Sequence, residues 1–196
     1  ILNKEELERF MAEIEKDTVW KDFFYTELTT GLRRGEICGL QWQDFDEAKG
    51  TLKISRTLHC TKIGEYTTGE TKTGKGMRTI TLPPSTAQLL RERKKTALSE
   101  WIFHDPVRPE HPVVPNSAYK RMKKILADAG LPNIRFHDLR HTFATHALTS
   151  GVDAKTLSGI LGHTNASFTL DTYTHMTTEM QKKASGIVGN FLDEIM

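Results

Sequence analysis

The spacing of hydrophobic positions changes twice along the chain. Near its start, Leu7, Phe10, Met11 and Ile14 recur at helical spacing behind Asn3 and the acidic pair Glu5-Glu6, an N-cap followed by an acidic first turn. Asp17 is placed to cap a second helix that carries Trp20, Phe23, Phe24 and Leu28 and ends at Gly31. Glu36 to Leu40 reads as a short helix packed on that pair and reaching Trp42. From Asp44 the period falls to two. Thr51 to Leu58 alternates, and so does Met77 to Leu82, with a Gly- and Thr-rich stretch between them. This predicts a small antiparallel three-stranded sheet with a long hairpin or third strand in the gap. Pro83-Pro84-Ser85 stops the strand and starts a helix through Leu89, Leu90 and a run of Arg and Lys. Five prolines from Pro106 to Pro132 bracket a loop and one basic helix, from about Ser117 to Ala129. Helical spacing then resumes, with helices expected near 137–149, 153–162, 166–174 and 178–193. The expected fold class is α+β, mainly α-helical.

Composition narrows the picture only a little. The chain has 196 residues, enough for one domain with a real core, and a formal net charge of +2. Basic residues nevertheless cluster: Lys72, Lys75 and Arg78; Arg91, Arg93, Lys94 and Lys95; Lys120, Arg121, Lys123 and Lys124. One such run is usually a solvated helix face, but three in one domain favour a basic surface. Cys38 and Cys60 form no CxxC pair and read as free thiols of a reducing cytoplasm. No apolar stretch approaches the roughly 18 residues of a membrane span. The chain opens at Ile1, already in a helical pattern, as expected of a piece cut from a longer protein.

The chemistry concentrates in the C-terminal third. His137-Asp138-Leu139-Arg140-His141, Leu161-Gly162-His163 and Thr172-Tyr173-Thr174-His175 are polar islands in apolar text. His137 and Arg140 lie three apart and share a helix face. His163 falls at a helix C-terminus, and Tyr173 follows ten residues on. Earlier, Arg33 has a carboxylate partner in Glu36. Fixed positive charge, imidazoles and a phenol are what a site needs to grip a phosphodiester and attack it with a tyrosine hydroxyl.

The segments Thr30-Gly31-Leu32-Arg33-Arg34-Gly35-Glu36, His137 to Thr142, Leu161-Gly162-His163 and Tyr173-Thr174-His175 match, in order and spacing, the boxes of tyrosine recombinases of the phage-integrase family. Thr71-Lys72-Thr73-Gly74, ahead of Arg78 to Leu82, resembles that family's catalytic-lysine hairpin. The resemblance covers essentially the whole chain and is strongest to integrases of conjugative transposons. The gap from His163 to Tyr173 is one residue longer than in the commonest members.

The resemblance implies the catalytic-domain fold of that family over residues 1–196, with N-terminal DNA-binding domains absent and a tail helix at 177–196. It implies Tyr173 as nucleophile, giving a 3′-phosphotyrosyl link. Arg33 and Arg140 would hold the non-bridging oxygens, with hydrogen bonds from His137 and His163. His137 would take the tyrosine proton. Lys72, to be told apart from Lys75, would protonate the leaving 5′-oxygen. Glu36 would orient Arg33, and Asp138 would serve a helix end or a neighbour. The implied reaction uses no cofactor, metal or ATP. The implied partners are double-stranded DNA at element ends and a target site, further copies of the chain exchanging C-terminal tails on that DNA, and accessory DNA-bending or excision proteins.

Two other readings start from parts of the same sequence. His137 and His141 have the i, i+4 spacing of a zinc helix, which suggests a metal-dependent phosphohydrolase. However, Asp138 stands where that motif needs glutamate, and Arg140 would set a cation beside the metal. Val152 to Tyr173 can pass for a helix-turn-helix of a non-catalytic DNA-binding module. That reading leaves Arg33, the lysine hairpin and the paired histidines without a role.

Overall fold

The computed structural model describes residues 1–70, 76–163 and 177–194. The expectations placed on Lys72, Lys75, Tyr173 and the helix near 166–174 lie outside those residues.

Three helices build the first half of the core: α1 (Lys4–Ile14), α2 (Lys21–Thr30) and α3 (Arg34–Cys38). Asn3 Oδ1 accepts from the Glu6 amide at 2.9 Å, and Glu6 accepts from the Asn3 amide at 2.8 Å, so α1 starts on a reciprocal cap. Asp17 does not cap α2. Its Oδ1 accepts from the amides of Val19 and Trp20, which fixes the turn before the helix, and its other oxygen receives Arg121. The apolar stripes of α1 and α2 meet edge to face. The ring centroids of Phe10 and Phe24 are 6.0 Å apart, and Phe23 lies 5.2 Å from both Phe24 and Phe103.

The sheet departs from expectation in one respect. The alternating run from Thr51 to Leu58 is two strands, β2 (Thr51–Ile54) and β3 (Arg56–Lys62), parted at Ser55. β2 lies between β1 (Phe45–Asp46) and β5 (Arg78–Thr81) in a three-stranded antiparallel sheet, with Ile54 opposite Arg78. β3 turns away to pair with β4 (Glu65–Glu70) as a separate hairpin. Alternation continues across the break because Leu52, Ile54 and Leu58 are all buried. Leu58 sits against α3, which rides so close that a Cβ on Gly35 would lie 2.6 Å from Thr57 Cγ2.

The second half is helical: α4 (Pro84–Lys94), α5 (Pro115–Asp128), α6 (Phe136–Ser150) and α7 (Ala154–Leu161), then α8 (Thr177–Asp193). α4 and α5 each begin with proline in the first turn, where the missing N–H costs nothing. Phe136 and Leu139 join the main core, while Ala144, Leu148, Leu157 and Leu161 form a smaller one between α6 and α7. Part of the expected basic surface is used internally. Arg93 pairs with Asp22, Arg121 with Asp17 and Lys94 with Glu47, and Arg78 is buried. α8 is tied to the end of α6 by Lys183, which donates to Thr149 O and Ser150 O, while Ile187, Val188 and Phe191 face solvent. Cys38 is buried and Cys60 half-buried, both as free thiols. No helix among the described residues is long and apolar enough to cross a membrane.

Gly31 ends α2 at φ +61°, and its missing side chain makes room for Phe143, whose Cδ1 lies 2.3 Å from where a Cβ would stand. Gly31→Ala combines left-handed strain with that clash. It should destabilise the fold by more than the ~1–2 kcal/mol of the strain alone. Chemical denaturation checks this, and an unchanged midpoint contradicts it.

Candidate active site

The site forms where the ends of α2 and α7 and the starts of α3 and α6 converge. Arg33 is the N-cap of α3. Its amide donates to Glu36 Oε2 at 2.9 Å and its Nη1 to Oε1 at 2.8 Å. The local sequence fixes this geometry, because a glutamate three residues into the helix is the partner a cap needs. The Arg33 side chain is 42% exposed, and its only side-chain bond among the described residues is to Glu36. Its neighbour Arg34 turns the other way, over the ring of Phe136.

Arg140, one turn into α6, is buried. Nη1 donates to Gly31 O at 2.8 Å, and Nη2 donates to Leu161 O at 2.7 Å and to His163 Nε2 at 2.9 Å. Both carbonyls close helix C-termini, the negative ends of α2 and α7, which favour a cation. Burial, followed by repulsion from Arg33, lowers the Arg140 pKa to about 10, so it keeps its charge at neutral pH.

His163 follows Gly162, the left-handed C-cap of α7 at φ +67°. Burial, then the charges of Arg140, Arg33 and Arg78, push its pKa down to about 4. It is therefore neutral at pH 7, and Nε2 accepts from Arg140, which leaves Nδ1 as the protonated nitrogen. His137, in the first turn of α6, is exposed to solvent, yet its pKa is lowered by partial desolvation, then by His141 and Arg140. The imidazoles of His137 and His141 meet edge to face, with centroids 4.5 Å apart. His137, Glu27, Arg34, Tyr119 and Arg135 are among the residues lining a cleft of about 350 Å³.

The structure thus brings together Arg33, His137, Arg140 and His163, while Lys72 and Tyr173 lie outside the described residues. Asp138 serves the helix end. Its carboxylate accepts from the Arg135 amide and guanidinium, which lowers its pKa to about 2. That occupation removes it as a ligand beside His137 and His141. No group of three His, Cys, Asp or Glu with metal-holding geometry occurs among the described residues.

Two charged residues have roles that the sequence did not disclose. Glu36 is 1% exposed and serves more than Arg33. Arg78 donates from Nη1 to Oε1 and from Nη2 to Oε2, each at 3.0 Å. Burial by itself would raise the Glu36 carboxyl, yet Arg78 and then Arg33 hold it below the usual carboxylate value. Arg78 had a signal in its place at the start of the strand after the lysine hairpin. Glu27, on α2, is fully buried with both carboxyl oxygens unbonded among the described residues. Burial raises its pKa well above the ordinary value, against the pull of Arg140. Its sequence signal was a glutamate on an apolar helix. The three guanidiniums of Arg33, Arg78 and Arg140 outnumber the carboxylates of Glu36 and Glu27, so the site carries surplus positive charge.

The pattern that defines the phage integrase family matches residues 1–180. A XerC-like tyrosine recombinase of Caldanaerobacter subterraneus is 34% identical over 185 residues, covering 84% of this chain and 47% of that protein. The transposase of transposon Tn916 from Enterococcus faecalis is 31% identical over 198 residues, covering 90% and 48%. Among solved structures, the Tn1549 transposon integrase in complex with circular intermediate DNA superposes with a TM-score of 0.79 at 26% identity, covering 95% and 66%. The chain belongs to the phage integrase family. Its likeness to transposon integrases, first read from the boxes, holds over the whole fold, and it spans about half the length of those two sequence relatives.

An unbonded buried carboxyl costs about 1–3 kcal/mol. Glu27→Met, which replaces it with an apolar chain of similar length, should leave stability unchanged or raise it by up to that amount. A fall in thermal midpoint of more than ~4 °C, the equivalent of about 1 kcal/mol in a domain of this size, contradicts the unpartnered state.

Proposed function

We propose that this chain is the catalytic domain, residues 1–196, of a site-specific recombinase that integrates and excises a mobile element by cutting and rejoining DNA. The observation that carries the reading is the meeting of Arg33, Arg140, His137 and His163 around surplus positive charge in a member of the phage integrase family.

In this reading Tyr173 Oη attacks the scissile phosphorus. A phosphotyrosyl bond forms at the 3′ side and the bond to the 5′-oxygen breaks. A phenol with an ordinary pKa near 10 needs a base, and His137, neutral at pH 7, takes its proton. Lys72 gives a proton to the leaving 5′-oxygen. Arg33 and Arg140 bind the non-bridging oxygens and stabilise charge in the in-line transition state, the task a metal performs elsewhere. Neutral His163 donates to the same group from a ring nitrogen. Rejoining reverses these steps and needs no ATP, because the link conserves the phosphodiester energy.

The substrate is duplex DNA at element ends and a target site. Proteins similar to this chain are described in complex with DNA, among them a lambda integrase dimer on a core site. The open apolar stripe of α8, with Ile187, Val188 and Phe191 in solvent, suits a groove on a neighbouring copy of the chain, so that tails are exchanged on DNA. Accessory DNA-bending or excision proteins set direction, and the work is done in the cytoplasm.

The test is incubation with duplexes carrying candidate element ends, followed by denaturing electrophoresis. The parent forms a covalent adduct, Tyr173→Phe binds DNA without forming one, and Arg33→Ala or Arg140→Ala slows its formation by about 10²–10³ or more. An adduct with Tyr173→Phe refutes the nucleophile. Rates within a few-fold of the parent refute the arginine roles.

A further inference from the structure

We propose that Arg78 is a positioning residue that sets the two segments bearing Arg33 and His163 relative to one another, a role that rests on the recombinase reading above. Its guanidinium makes four hydrogen bonds to three places. Nη1 and Nη2 bind the two oxygens of Glu36, Nε donates to Ile160 O at 2.6 Å, and Nη1 donates to Gly76 O at 3.2 Å.

Two of these contacts bear on different parts of the site. Glu36 is the sole side-chain partner of Arg33 among the described residues, so a carboxylate turned by Arg78 turns Arg33 with it. Ile160 O lies in the last turn of α7, directly before Leu161, whose carbonyl goes to Arg140. Consecutive carbonyls of α7 are thus held by two arginines, and His163 leaves the helix two residues later.

The packing agrees with the bonding. The Arg78 side chain is 8% exposed, and β5 holds its backbone opposite Ile54. The Gly162 turn is laid directly on the guanidinium: a Cβ at Gly162 would lie 2.7 Å from Nη1 and 3.0 Å from Cζ. Gly162 therefore serves two needs, its left-handed φ and this approach. Lysine cannot replace Arg78 in kind, because one ammonium cannot span a bidentate carboxylate and a carbonyl on its far side. Arg78 touches none of the reacting atoms in this scheme. It acts through Arg33 and His163.

The experiment compares the parent chain with Arg78→Met and Arg78→Lys by amide hydrogen exchange without DNA and by single-turnover adduct formation on the element-end duplex. In Arg78→Met, exchange should accelerate at least ~10-fold in segments 33–39 and 157–163 and stay parental elsewhere, as for a local opening. Adduct formation should slow by roughly 10²-fold, with DNA affinity within a few-fold of the parent, as for loss of a preorganised donor. Arg78→Lys should show both changes at smaller amplitude, and it decides the matter if the Met variant does not fold. Parental exchange in the two segments, acceleration spread evenly over the chain, or adduct formation at the parental rate overturns the proposal. A parent that forms no adduct refutes the recombinase reading instead, and local exchange alone then decides whether Arg78 positions these segments.

Discussion

A closed ring of charge-assisted hydrogen bonds governs the geometry of this domain. It runs from Arg33 to Glu36, from Glu36 to Arg78, from Arg78 to Ile160 O, and along one residue to Leu161 O. Arg140 takes Leu161 O and closes the ring at Gly31 O, two residues before Arg33. Elements far apart in sequence thereby meet at one place. Buried arginines and a glutamate are expensive to desolvate, and such a network survives only when its members satisfy one another. The ring contributes less to stability than to fixing the angle between the ends of α2 and α7.

The two arginines assigned to the phosphate are held differently, and the difference follows from their places in the chain. Arg140 is inside the domain and three of its bonds are already made, so its position is set before any ligand arrives. Arg33 is anchored at its backbone by the helix cap, with nearly half of its side chain in solvent. One is a fixed wall and the other an open hand. His163 takes its properties from both. Burial first and the neighbouring cations second keep it neutral well below its ordinary range, and the cationic share responds to the arrival of negative charge.

Local patterns in the sequence carried the described helices and pointed to four candidate residues, Arg33, His137, Arg140 and His163, that the structure brings together. Asn3 with Glu6, Arg33 with Glu36 and Gly31 are local signals, readable because cap and helix lie within a few residues. The break at Ser55 left no mark, because the side chains on either side stay buried in two different sheets and preserve the alternation. Asp17 resembled a cap yet anchors a turn and a distant arginine, Arg121, which only the tertiary fold brings near. Arg78 and Glu27 were hidden for the same reason. One lies in a strand and finds its partners at long range, and the other is a carboxyl left unbonded on an apolar helix. The basic runs looked alike in sequence, but whether a cation faces solvent or an aspartate such as Asp22 is decided by packing alone.

The central claim is that Arg33 and Arg140 are arranged in advance to hold one phosphate charge between them. The most direct measurement is the titration of His163 by NMR of its labelled imidazole, in the free chain and on duplex DNA carrying the element end. In the free chain the midpoint should stand at about 4, set first by burial and then by the cations, and DNA should raise it, because a phosphate oxygen offsets the cationic share. An ordinary midpoint near 6.5 in the free chain, the same with and without DNA, would contradict the claim.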